Sequence, residues 1–119
     1  MNRQELEKLI AVEYAAKPEF LWEGDNITTA FRHANTHKWF CLAMRIPENK
    51  LGLKTDKLVD VINIKLDPDL IQELLSSHPG QLFPAYHMNK KHWITILLDN
   101  STDAKLVEAL VNDSFGLTL

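Results

Sequence analysis

A chain of 119 residues, 45% hydrophobic and 24% charged, has the composition of a soluble globular protein and the length of one domain, 1–119. Its single cysteine, Cys41, excludes an intrachain disulfide, and no apolar run reaches the roughly 18 residues that a membrane span requires. A net charge of -3 argues against a strongly cationic polyanion binder, so any such role must come from how the charges are distributed.

Residues 1–16 are charged and amphipathic, with no apolar stretch of the kind an export signal needs, which sets the expectation of a cytoplasmic protein. Leu6, Leu9, Ile10 and Tyr14 recur at helical spacing. Asn2 stands as N-cap with Glu5 at the capping-box position, and Pro18 ends the helix near Ala16. Gly24-Asp25-Asn26 signals a turn. Ile27 to Ala34 then alternates as a strand, Asn35-Thr36-His37 is a hairpin turn, and Lys38 to Ile46 is the partner strand. On that strand Phe40, Leu42, Met44 and Ile46 face one way, and Trp39, Cys41, Ala43 and Arg45 the other. A loop with Lys50, Lys54 and Lys57 leads to a third strand, Leu58 to Lys65. Asp67-Pro68 opens a second helix with Leu70, Ile71, Leu74 and Leu75 as its apolar stripe, stopped by Pro79-Gly80. Leu82 to His87 and His92 to Leu98 read as strands joined by a turn at Met88-Asn89-Lys90-Lys91. Ser101-Thr102-Asp103 opens a last helix, and the apolar tail Phe115 to Leu119 docks on the body.

This order predicts an α+β two-layer sandwich: a largely antiparallel sheet with helices on one face. The alternation puts Arg32, Trp39, Arg45, Asn63, Lys65, Trp93 and Thr95 on the open face. Charge follows the same division. Residues 26–66 hold seven cations against three acids, and residues 81–98 hold Lys90 and Lys91 with no acid, whereas the helical segments are acidic. A positive sheet surface on an acidic protein is one reading. Lysines that merely protect strand edges from aggregation are the other.

Two segments carry more. Asn63-Ile64-Lys65-Leu66-Asp67-Pro68 and Pro84-Ala85-Tyr86-His87-Met88-Asn89-Lys90-Lys91-His92-Trp93, with the helix between them, resemble the MmcQ/YjbR family of small bacterial proteins. The segments ending in Leu98-Asp99 and in Asn112-Asp113-Ser114-Phe115 fit the same pattern, so the resemblance spans residues 38–115 well and the N-terminal third more loosely. It implies a frataxin-like (CyaY-like) sandwich and a proposed DNA-binding role through a double-wing surface. It carries over no catalytic residues.

The residues themselves support a binding role better than a catalytic one. Lys90 and Lys91 at a hairpin tip would neutralise phosphates, Asn89 would supply hydrogen bonds, and His87, Trp93, Lys65 and Arg45 would complete a nucleic-acid-binding face. A solvated turn with structural aromatics is the competing reading. None of the histidines has a zinc-site spacing, and no nucleophile accompanies His87 or Cys41, so neither metal nor catalysis is expected. The acids Glu5, Glu13, Glu19, Glu23 and Asp25 fit a solvated helix face better than an iron-binding surface, which would rest on fold analogy alone. The four glycines stand apart, so there is no phosphate loop, and no cofactor is expected. The partner expected is DNA. The alternative is a protein partner or a second copy of the chain, docking on Trp39 and Trp93.

Overall fold

Asn2 accepts a hydrogen bond from the Glu5 N–H at 2.9 Å, and the Glu5 carboxylate accepts one from the Asn2 N–H at 3.1 Å. This reciprocal cap starts α1, Arg3–Tyr14, in a computed structural model that describes residues 1–25 and 27–119. The turn read at Gly24-Asp25-Asn26 thus ends on a residue, Asn26, that lies outside the described residues. α1 stops at Tyr14, short of Ala16, because Ala15 turns left-handed at φ 54°. Asp67 caps α2, Pro68–Ser77, through the Asp69 N–H, with Pro68 in the first turn, where a missing N–H costs nothing. Asp103 caps α3, Ala104–Leu117, through the Lys105 N–H.

The strands are β1 (Glu19–Phe20), β2 (Thr29–Arg32), β3 (Trp39–Pro47), β4 (Leu58–Lys65), β5 (Leu82–Pro84) and β6 (Trp93–Leu97). They form one sheet in the order β1-β2-β3-β4-β6-β5, antiparallel at every pairing. α2 carries the chain past the β6 position to β5 at the far edge, and β6 returns between β4 and β5. Both edges are short, and β5 ends on Pro84, a residue that only an edge strand tolerates.

All three helices cover one face, the α+β two-layer arrangement that the sequence predicts. Cys41, Ala43, Ile62, Ile64, Ile94 and Ile96 line that face and meet Leu6, Ile10, Ile71, Val107, Leu110 and Val111 from the helices. The opposite face is not basic. Leu42, Met44, Ile46, Val61, Phe83 and Leu97 form a second apolar cluster there.

Several expectations are corrected. β3 faces the reverse of the expected way: Cys41 and Ala43 lie under the helices and Leu42, Met44 and Ile46 on the open side. The strand is apolar on both sides, so alternation alone does not say which side is inward. Trp39 still reaches the open side because Phe31 pairs with Cys41 and Arg32 with Trp39, leaving Phe40 as a bulge residue buried in the helical core. Arg45 sits on the helix side of the sheet, opposite Asp60. β2 is shorter than the 27–34 strand, because the Asp25 carboxylate accepts from the Ile27 and Thr28 N–H groups at 2.8 and 2.9 Å. β1, two residues long, is not among the strands the sequence predicts. Of the segment Phe115 to Leu119, which the sequence predicts to dock as an apolar tail, Phe115 packs against the core from the end of α3 and Thr118 is buried, whereas Leu117 and Leu119 are exposed.

The end of α3 is welded to the sheet by one hydroxyl. Buried Ser114 donates to the Phe40 carbonyl at 2.7 Å and accepts from the Lys65 N–H at 2.9 Å. It thereby satisfies backbone groups of β3 and β4 where the two strands diverge beyond the Cys41–Ile64 pair. Buried His33 packs on Phe40 and Phe115, and its Nε2 lies 2.7 Å from the Thr118 hydroxyl. That hydroxyl donates to the Ser114 carbonyl, so Nε2 carries the proton and donates.

Candidate functional site

Asn63 and Thr95 face each other across β4 and β6 on the open side, and both are fully buried. Buried polar side chains require partners, and here they find them in one another and in a loop. The Thr95 hydroxyl donates to Asn63 Oδ1 and accepts from the Tyr86 N–H at 2.9 Å, while Asn63 Nδ2 donates to the Tyr86 carbonyl at 2.8 Å. Both backbone groups of Tyr86 are thus tied to the sheet. The chain folds over the open face after Pro84, and the strand read from Leu82 to His87 ends there. His87 sits at φ 57°, a left-handed conformation that histidine tolerates better than most residues, and its ring meets that of Tyr86 edge-on at 4.0 Å.

Tyr86 and His87 form a ridge between two grooves. On one side lies a groove of about 520 Å³ walled by Leu21, Trp22, Trp39, Leu42, Met44 and Met88, with Arg45 and Thr28 at its margin. On the other lies a groove of about 390 Å³ walled by Lys50, Lys90, Phe83 and Pro84, with no acid among its lining residues. Lys90 Nζ donates to the Ala85 carbonyl at 2.9 Å, which uses one of its three donors and fixes the ammonium at the groove wall. Trp22 is 60% exposed and stands on a turn closed by the Asp25 N–H to its carbonyl at 3.2 Å, with Gly24 at φ 83°. The backbone N–H groups of Thr28 and Ile27 hold the Asp25 carboxyl below its usual range.

The residues expected to act together are divided. His87 and Lys90 line the basic groove. Asn89 is a turn builder: its side chain accepts from the Lys91 N–H at 2.8 Å and its carbonyl from the Trp93 N–H at 3.0 Å. Lys91 is exposed on that turn. Lys65 and Trp93 pair across β4 and β6, half-buried, and line neither groove. Arg45 donates to Asp60 at 3.0 Å, a bond that raises its pKa, and Arg3 lies 4.0 Å from the same carboxylate. Arg32 pairs with Glu19 at 2.9 Å and stands 5.5 Å from the Trp39 ring centre. Arg32 and Arg45 are thus each paired with an acid and Lys65 lines neither groove, while Lys50 and Lys90 share a groove with no acid among its lining residues. Lys50 and Trp22 are not among the site residues expected from the sequence. Nothing in their local sequence marks them, because long-range packing of the 48–51 turn and the 21–25 loop brings them to the ridge.

Burial raises the Cys41 thiol pKa and lowers that of His33, which favours the neutral form of each. Among the described residues, no three His, Cys, Asp or Glu groups are placed to hold a metal ion, and no helix is long and apolar enough to cross a membrane.

Comparison with known proteins agrees with this architecture. Uncharacterized protein YyaQ of Bacillus subtilis (strain 168) is 30% identical over 118 residues, covering 99% of this chain and 98% of that protein. A crystal structure of a Pseudomonas syringae protein is 43% identical and superposes with a TM-score of 0.94 over 100% of both chains. Deinococcus radiodurans protein DR2400, described by the domain name DUF419, is 26% identical with a TM-score of 0.73, covering 98% of this chain and 77% of that one. The family model described as YjbR matches residues 13–117, and the chain belongs to the YjbR family.

Proposed function

We propose that this protein is a non-catalytic DNA-binding protein that engages its ligand at the Tyr86–His87 ridge on the open sheet face. The observation that supports this most is the pairing of grooves across the ridge: one walled by aromatic and apolar side chains, the other by Lys50 and Lys90 without an acid. Lysines against phosphate supply affinity through counterion release, and aromatic surface supplies contact with bases. The interface is thus shifted from the expected Lys65, Arg45 and Trp93 toward Lys50, Lys90 and His87, with Lys91 adding charge from the adjoining turn. Removing Lys50 and Lys90 together by Lys50→Ala and Lys90→Ala should weaken DNA binding for every sequence alike and lower the salt slope by about 1 per lysine. Unchanged affinity across a salt titration would refute the reading.

The apolar lining and the exposure of Trp22 also favour a second reading, a protein partner or a second copy seated on Trp22 and Trp39. A solution mass above that of the 13.7 kDa chain, with tryptophan emission shifted on dilution, would support it over DNA.

A further inference from the structure

We infer that the nucleic acid taken at this ridge is single-stranded, with a base in the aromatic groove and the phosphate beside it in the lysine groove; this rests on the DNA reading above. A duplex keeps its bases stacked inside and presents phosphate and sugar to a surface. Against this face it would leave about 520 Å³ of apolar groove lined by Trp22, Trp39 and Met44 facing a polyanion. An unpaired base has a free π-face, which aromatic side chains stack on whatever its identity.

The charges agree. Duplex binding draws on many simultaneous phosphate contacts. Here Arg32 is paired with Glu19 at 2.9 Å and Arg45 with Asp60 at 3.0 Å, and the acid-free groove itself holds two cations, Lys50 and Lys90, with Lys91 exposed on the adjoining turn. The helical layer offers no other route, because exposed Asp69, Glu73, Glu108 and Asp113 would set it against a duplex groove. The two grooves share Tyr86 and His87, so a base and its neighbouring phosphate can occupy them together.

Anisotropy titrations with three labelled probes test this: a short oligo-dT, an abasic deoxyribose-phosphate chain of the same length, and a hairpin duplex. Oligo-dT should bind about tenfold or more tighter than either other probe, the scale of one stacked base. Trp39→Ala should remove that advantage and leave the abasic chain unaffected. Trp22→Ala, at an exposed loop position, should do the same and keeps the test decisive if the Trp39 variant does not fold. Equal binding of duplex, or of the abasic chain, overturns the single-strand inference and leaves the DNA reading standing. Binding of none of the three overturns both, as does a self-associated chain that shields Trp22 from oligo-dT.

Discussion

The Asn63–Thr95–Tyr86 network should behave as one unit, and a double-mutant cycle measures it. Thr95→Val keeps the shape of the side chain and removes a hydroxyl that is fully buried. The Tyr86 N–H and Asn63 Oδ1 then lose their partners. An unpartnered buried polar group costs about 1–3 kcal/mol, so the variant should lose about 2–4 kcal/mol once the loop relaxes enough to admit some water. Asn63→Leu strands the Tyr86 carbonyl and the Thr95 hydroxyl, and should cost about the same. The bond between Asn63 and Thr95 is broken only once in the double variant. Its loss should therefore fall short of the sum of the singles by about 0.5–1.5 kcal/mol. Urea unfolding with a common m-value reads all four corners of the cycle. Singles that each cost less than about 0.5 kcal/mol and add without coupling would refute the reasoning, because surface substitutions behave that way.

Ser114→Ala should be comparably severe, since it leaves the Phe40 carbonyl and the Lys65 N–H unpartnered. A loss of about 2–4 kcal/mol should appear as a fall in Tm of roughly 10 °C for a chain of this size. His33 has its pKa lowered, chiefly by burial and also by Lys38, so the folded protein binds a proton less readily than the unfolded chain. Its contribution is complete above the unfolded value of 6.5 and is lost as pH falls below it, so stability measured between pH 7 and 5 should drop with acid more in the parent than in His33→Gln. Cys41 is fully buried with its pKa raised by desolvation, so a thiol reagent should label it only at the rate of opening, and labelling should accelerate with urea in step with unfolding.

Local signals carried most of the fold. The Asn2–Glu5 box and the caps Asp67-Pro68 and Asp103 occupy their places because capping is a matter of a few adjacent residues. β4 runs from Leu58 to Lys65 as the sequence predicts, with Ile62 and Ile64 toward the helices and Asn63 and Lys65 toward the open face, because the two faces differ in polarity over 62–65. β3 has no such contrast. Its facing depends on the bulge at Phe40 and on small Cys41 and Ala43 fitting beneath the helices, both tertiary outcomes. The candidate site is legible only in part: of the 84–93 segment, Pro84, Ala85, Tyr86, His87 and Lys90 line a groove. A turn asparagine and a binding asparagine look alike in sequence, and the Asn89 side chain accepts its hydrogen bond from the turn. Alternation alone puts Arg45 on the open side, whereas the register of β3 sets it opposite Asp60 on the helix side.

Ligand binding at the Tyr86–His87 ridge is tested most directly by amide and indole chemical-shift mapping with unlabelled oligo-dT. Shifts should concentrate at Tyr86, His87 and Met88 and at the Trp22 and Trp39 indoles, with Lys50 and Lys90 next. Shifts centred on Lys65, Trp93 and the Arg45–Asp60 pair, with the ridge silent, would contradict binding at the ridge.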